Sequence, residues 1–223
     1  MAEHVAILGG TGALGYGLAL RLGGAGVQVT IGSREEGRAR AAAERAAATV
    51  PHGRFDGALN EHAAAGAGTI VVLTVPFASH AATLRAIAPA LREGQIVLDA
   101  TVPLAPAVGG RPTHLLGVWH GSAAQQTRAL VPAHAGVVSA LHTISAADLE
   151  ELDRDLGQDT LVCGDVRAEK ATVMELLGLL PGLRAIDAGR LETSRITESL
   201  TPLLIGLNIR NRTHTGIRIT GLD

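Results

Sequence analysis

The sequence predicts an α/β fold, a doubly wound and mostly parallel sheet with a smaller C-terminal helical or α+β part. Three observations carry this. Short runs rich in Val, Ile and Leu recur at 4–8, 27–31, 69–75 and 95–100. Helix-favouring stretches separate them, the spacing of βαβ units with right-handed crossovers. Between the first run and the first helix lies Val5-Ala6-Ile7-Leu8-Gly9-Gly10-Thr11-Gly12-Ala13-Leu14-Gly15. Its Gly10, Gly12 and Gly15 form a G-x-G-x-x-G between strand and helix, the fingerprint of a Rossmann-type dinucleotide site.

The elements follow in order. After the strand at 4–8 and the glycine turn, Leu14, Leu18, Leu20 and Leu22 belong to a helix closed by Gly23-Gly24. The β-branched run 27–31 is the second strand, and the Arg/Glu/Ala-rich stretch 35–48 is a helix of high propensity. Residues 51–57 read as a turn or a weak strand, and 59–65 as a short helix. The run 69–75 is almost wholly apolar, as a parallel strand covered on both faces should be. Pro76 stops it, 77–91 is helical, and 95–100 is the next buried strand. A Pro/Gly-rich loop covers 104–116, and Ser122 is an N-cap candidate. Strands are expected at 136–141, 160–163 and 184–187, with a helix at 167–180 and an acidic helical or turn-like piece at 147–156. A long helix spans 193–212, where Pro202 kinks it or starts a new one. The sheet is expected to continue through the whole chain. The division predicted is 1–145 as the dinucleotide-binding domain and 146–223 as a smaller domain closing a second cleft.

Composition removes several function classes. Charged residues are 18% and the net charge is −2, so there is no electrostatic case for a nucleic-acid or anionic-membrane partner. The only aromatics, Tyr16, Phe55, Phe77 and Trp119, are too few for base-stacking platforms. Cys163 is the single cysteine, which rules out an intrachain disulfide and fits a reducing, cytoplasmic setting. Residues 1–4 carry no basic segment, so no signal peptide is expected, and no apolar run is long enough to span a bilayer. The nine histidines show no H-x-x-x-H or H-x-H pattern, and no metal site is expected. There is no G-x-S-x-G.

A dinucleotide site needs a ribose partner at the end of the second strand. No carboxylate stands there; Ser33 and Arg34 do, with Arg38 one helical turn on. A hydroxyl and two guanidinium groups suit a 2′-phosphate and point to NADP. The bland alternative pairs Arg34 and Arg38 with Glu35 and Glu44 on the helix surface. Thr74, Val75 and Pro76 end the third main strand, where their backbone lines the channel from adenosine to nicotinamide; otherwise Pro76 merely stops the strand. Asp99, Ala100 and Thr101 end the next, placing Ala100 near the nicotinamide, with Asp99 as either a turn cap or a proton donor. His142, just after an apolar strand, either contacts a second substrate or is structural.

Several ordered blocks resemble one family. They are Gly9 to Gly15 with Gly17 to Leu22, Gly32-Ser33-Arg34, Val71 to Pro76, Val138 to Ile144, Val162 to Asp165, and Leu183 to Arg195 with Glu198-Ser199-Leu200-Thr201-Pro202-Leu203. Together these are similar to the NADPH-dependent coenzyme F420 reductase family (F420H2:NADP+ oxidoreductase), over nearly the whole chain. The resemblance implies hydride transfer between NADP(H) and the 5-deazaflavin coenzyme F420, held between a Rossmann domain and a smaller C-terminal part. It implies that Thr11, Ser33, Arg34 and Arg38 hold the 2′-phosphate end. It assigns Gly10, Thr11, Gly12, Ala13 and Leu14 to the pyrophosphate, and Pro76 to the nicotinamide side. His142, Ile144 and Leu200 would contact the deazaflavin. The region 103–130 matches no block of the family.

The cofactors carry the chemistry in such a reaction, so no catalytic acid or base is expected. Two other readings remain open on the sequence. One is an NADPH-dependent reductase of an imine or ketone, which needs a proton donor such as His120, His142 or Asp99. The other is a non-catalytic NADP sensor docking through its C-terminal helices. Leu200, Leu203, Leu204, Ile205, Leu207 and Ile209 cover most of a helix circumference, which predicts burial all round and a homodimer.

Overall fold

The computed structural model describes residues 4–222; the expectation concerning the leader rests partly on residues 1–3, outside them. Eight strands form one sheet: β1 (His4–Leu8), β2 (Gln28–Ser33), β3 (Arg54–Leu59), β4 (Ile70–Leu73), β5 (Ile96–Asp99), β6 (Gly136–Ser139), β7 (Gln158–Gly164) and β8 (Leu183–Asp187). Their order is β3-β2-β1-β4-β5-β6-β7-β8. All neighbours are parallel except β6 and β7, which meet antiparallel at Val138–Gly164 and Ser139–Cys163. The sheet therefore does run through both parts of the chain. The first six strands have the order of a doubly wound dinucleotide-binding fold.

Helices cover both faces. On one lie α1 (Ala13–Gly24), α2 (Glu36–Thr49), α6 (Ala146–Glu150) and α7 (Arg167–Leu177). On the other lie α3 (Asn60–Gly66), α4 (Phe77–Ile87) and α5 (Ala123–Leu130). Strand residues alternate between these layers: Val5 and Ile7 face the first, Ala6 and Leu8 the second. All four are fully buried, which is why these strands read as apolar runs rather than as alternating patterns. The chain ends with α8 (Ser194–Thr197) and α9 (Leu200–Asn211).

Several boundaries differ from the sequence reading. The weak segment at 51–57 is a full edge strand, β3, paired with β2 from Arg54 to Leu59. Gly57 lets it lie directly on the Ala39–Arg40 backbone of α2. The strand expected to reach residue 75 leaves the ladder at Thr74, whose N–H and hydroxyl both turn back to the Leu8 carbonyl. The helix at 77–91 ends at Ile87 and tightens into a 3-10 turn, Ala88–Ala90, at a proline that lacks an N–H. The 104–116 loop holds a 3-10 turn, Ala105–Val108, and a bridge between Leu104 and Leu115. Ser122 does cap α5, its hydroxyl accepting the Gln125 N–H at 3.0 Å. The long C-terminal helix is three pieces: a 3-10 turn at Leu191–Thr193, α8 and α9. Pro202 is the third residue of α9, where an N–H has no intrahelical partner to lose. Burial all round α9 is not seen within the chain. Only Leu204 is buried, while Leu203 and Ile209 are 54% and 63% exposed.

Candidate functional site

Register defines the site. Gly32, Leu8, Leu73, Asp99 and Ser139 pair in one row across the carboxyl ends of β2, β1, β4, β5 and β6. The segments leaving that row enclose an open cleft of about 520 Å³. It spans the point between β1 and β4 where the strand order reverses, the place where open α/β sheets bind ligands.

The glycine turn has three separate steric duties. Gly10 does not line the cleft; a Cβ there would meet the Ile7 carbonyl oxygen at 2.7 Å. Gly15 sits where any side chain would strike Thr74 Oγ1, and so lets α1 pack on the end of β4. Gly12 meets nothing nearer than 3.4 Å and is open to a close ligand approach. Thr11, Gly12, Ala13 and Leu14 line the cleft. No side chain caps α1, and its first turn carries no acidic residue. Its N–H groups and dipole therefore favour an anion. Gly9 adopts φ +73°, and its N–H donates to Asn60 Oδ1 at 3.3 Å. The sequence reading missed Asn60, since nothing in the local pattern points a residue after an edge strand at the glycine turn.

Ser33, Arg34 and Arg38 line the same end. Ser33 is buried, and its hydroxyl accepts the Glu35 N–H at 3.3 Å. Arg38 pairs with Glu35 Oε1 at 3.2 Å, both side chains 65% exposed, so the helix-surface alternative holds for that one residue. Arg34 has no hydrogen-bond or ion-pair partner among the described residues, and its guanidinium is free for an anion.

Thr74, Val75, Pro76 and Ala100 line the middle of the cleft. Beneath them lies a buried polar network. Asp99 Oδ2 accepts from Thr127 Oγ1 at 2.6 Å and lies 3.0 Å from His80 Nε2, while Oδ1 accepts the Thr101 N–H at 2.8 Å. Gln126 Nε2 lies 3.0 Å from His80 Nδ1. Burial opposes the Asp99 charge, yet His80 and these hydrogen bonds hold its carboxyl below the usual range. Asp99 is wholly buried and outside the cleft lining, so the turn-cap alternative describes it and the proton-donor alternative does not. His120 lies in another concavity with Arg128 and Asp165, away from the main cleft, which removes it as a donor there.

The far wall comes from Leu141, His142, Ile144, Ala146 and Thr201. Leu141 has φ +70°, a conformation that costs a bulky residue on the order of 1–3 kcal/mol and collects at functional sites. Its N–H is held by Thr160 Oγ1 at 2.8 Å. No sequence signal marks a leucine for that backbone. His142 is almost completely buried, with Nδ1 3.4 Å from Thr197 Oγ1 and Nε2 without a hydrogen-bond partner among the described residues. Burial pushes its pKa down to about 4, although the Asp99 charge and carbonyl pull the other way. The imidazole is therefore neutral near pH 7. Thr201, not Leu200, reaches the cleft; its hydroxyl donates to the His142 carbonyl at 2.5 Å. Helical rotation by one residue accounts for that correction. Glu198, 2% exposed, caps α5 by accepting the Ala123 and Ala124 N–H groups at 2.9 and 3.1 Å. Burial pushes its pKa up to about 8 in spite of those bonds.

The two halves of the cleft differ in chemistry. Its first half offers uncapped helix N–H groups and a free guanidinium. Its second half offers two buried polar atoms without partners, Thr101 Oγ1 and His142 Nε2, beside apolar Leu141 and Ile144. Among the described residues no cluster of three or more His, Cys, Asp or Glu could hold a metal ion.

Comparison with known proteins agrees with this geometry. Residues 4–103 match the family model described as NADP oxidoreductase, coenzyme F420-dependent. An F420-dependent NADP reductase of Methanocaldococcus jannaschii is 41% identical over 223 residues, covering 98% of this chain and 99% of that protein. One from Methanothermobacter thermautotrophicus is 42% identical over 228 residues, covering 100% and 97%. A crystal structure from an Arthrobacter species, assigned as an F420-dependent NADP reductase, superposes with a TM-score of 0.82 at 31% identity, covering 99% of this chain and all of that one. By sequence along its whole length and by fold, the chain belongs to the F420-dependent NADP reductase family.

Proposed function

We propose that this protein transfers a hydride between NADP(H) and the deazaflavin coenzyme F420 within the single cleft above the carboxyl edge of the sheet. The observation that carries the reading is the cleft's two-part build: an anion-binding glycine turn with an unpaired Arg34 at one end, and an apolar wall with buried, unpartnered polar atoms at the other. Full-length likeness to F420-dependent NADP reductases supports the identity of both guests.

When bound, nicotinamide C4 supplies the hydride and deazaflavin C5 accepts it, with one proton from solution completing the reduced ring. The chain's own residues bind and orient. Gly12, Ala13 and Leu14 present backbone to the pyrophosphate, with Thr11 beside them. Ser33 and Arg34 hold the 2′-phosphate, assisted by Arg38. Thr74, Val75, Pro76 and Ala100 line the nicotinamide channel. His142, Ile144 and Thr201 face the deazaflavin, and the neutral imidazole contributes a hydrogen bond rather than a charge. Holding both rings in contact supplies proximity and excludes water, the protein's share of such a reaction.

Residues 1–145 act in this reading as the NADP-binding unit and 146–223 as the part that closes the deazaflavin side. The exposed apolar residues of α9 support a homodimer. A cytoplasmic setting is supported by the single buried cysteine. No helix among the described residues is long and apolar enough to cross a membrane. A stopped-flow mix of protein, NADPH and F420 tests the function. Bleaching of the deazaflavin absorbance is expected; its absence at every pH removes the reading.

A further inference from the structure

One buried cation belongs to neither half of the cleft. Arg21 lies near the C-terminal end of α1 and is 5% exposed. Among the described residues its guanidinium forms no ion pair, although the charges of Asp155, Asp148 and Glu151 act on it. Nε donates to the Leu149 carbonyl at 2.9 Å, and Nη2 lies 2.7, 2.7 and 2.9 Å from the carbonyl oxygens of Asp148, Glu151 and Arg154. These carbonyls lie at the end of α6 and in the turn that follows it, where that of Glu151 also accepts the Arg154 N–H at 3.1 Å. A cation there satisfies several acceptors at once and complements the helix dipole. One turn earlier on α1, Gly17 sits where a Cβ would be 2.7 Å from Leu149 Cβ and 3.4 Å from the Ala146 carbonyl oxygen. The two helices are thus in backbone-close contact and latched by one side chain.

The position of that latch matters because of what each helix carries. The N-terminus of α1 is the anion end of the cleft, and the first residue of α6, Ala146, lines the same cleft with nearby Ile144. Helix α1 therefore joins the two: its first turn lines the cleft, and one turn later Gly17 lies against α6. We infer that Arg21, seated against Gly17, is a positioning residue that sets the Ile144–Ala146 wall relative to the bound dinucleotide, and so governs how the second substrate is held. The inference rests on the proposed function, since it takes that second substrate to be the deazaflavin.

The latch touches α6 and not the glycine turn, so its loss should divide the two substrates. Arg21→Gln is expected to raise the KM for F420 at least tenfold while the Kd for NADPH, by fluorescence titration, stays within about twofold. Arg21→Lys, which keeps the charge but reaches fewer carbonyls, is expected to fall between. Gly17→Ala leaves the charge alone and pushes α6 outward; it should raise the same KM and serves if the Arg21 variants fail to fold. Equal changes in both constants, or no change in either, overturn the inference. A wild-type protein that does not reduce F420 overturns the functional reading, and this inference with it. Wild-type turnover with an unmoved KM in the folded variants overturns this inference alone.

Discussion

The dinucleotide half of the cleft is assembled from neighbours in sequence, and the opposite half from segments far apart in the chain. Residues 9–15 and 33–38 supply most of the first in two short turns, with Asn60 and Thr74 as outside supports of the glycine turn. The second draws Leu141 and His142 from the end of β6, Ala146 from α6 and Thr201 from α9. Those pieces are held by Thr160, Thr197 and Arg21, all distant in sequence. A local site tolerates change elsewhere in the fold, whereas a composite one registers every displacement of its supports. Two buried histidines show the same contrast. His80 is locked to Asp99 under the middle of the cleft, while His142 on the far wall keeps a free nitrogen.

The largest effect should come from the floor that both halves share. Asp99→Ala leaves the Thr101 N–H without its acceptor and removes the carboxylate from Thr127 Oγ1 and His80, which keep only each other and Gln126; a buried polar group left unsatisfied costs about 1–3 kcal/mol. Urea unfolding should show that loss, and both substrates should bind worse. Asp99→Asn, which keeps the acceptor to Thr101, should cost clearly less.

The dinucleotide half is probed by replacing Ser33 and Arg34 with alanine. A charge-assisted phosphate contact contributes about 1.5–3 kcal/mol, so the KM for NADPH should rise roughly tenfold to a hundredfold. The KM values for NADH and F420 should scarcely move. Equal effects on NADPH and NADH would mean that these residues do not read the 2′-phosphate.

The far wall has a pH signature. The His142 pKa is about 4 in the fold, below the ordinary histidine value. The unfolded chain therefore binds the extra proton first as pH falls. The stability from the neutral, buried imidazole is complete above about pH 6.5. It is lost progressively down to about pH 4, at no more than about 1.4 kcal/mol per pH unit. Between pH 5 and pH 7 Glu198, raised to about 8, acts in the opposite sense, so the readout is the change on substitution: His142→Leu should raise the melting temperature at pH 5 relative to that at pH 7. A difference between the two left unchanged by that substitution would place the sensitivity elsewhere.

Arg38→Ala should do least. Its pair with Glu35 is solvent-exposed and worth about 1 kcal/mol or less, and Arg34 remains. A loss of NADPH affinity as large as that of the Arg34 variant would show that the Glu35 pair is broken when the dinucleotide binds.

The same division explains how much of the molecule was legible in the sequence. Apolar runs and the glycine spacing report local geometry, so the parallel sheet, the glycine turn and the Ser33–Arg34 strand end could all be read from neighbours. Edge strand β3 was undervalued because its half-exposed residues carry a weak apolar pattern. Asn60, Thr101 and Leu141 carry no local sequence signal, because their roles depend on partners elsewhere or on an unusual backbone angle. Leu200 and Thr201 differ only in which side of a helix meets the cleft, and that is set by the docking of α9, not by its sequence.

The claim that both guests share one cleft is tested most directly with NADPH carrying deuterium at the transferred position of C4. The account predicts that the label moves to C5 of reduced F420 with none lost to water. Label released to solvent, or F420 reduced without label, would contradict direct transfer across the cleft.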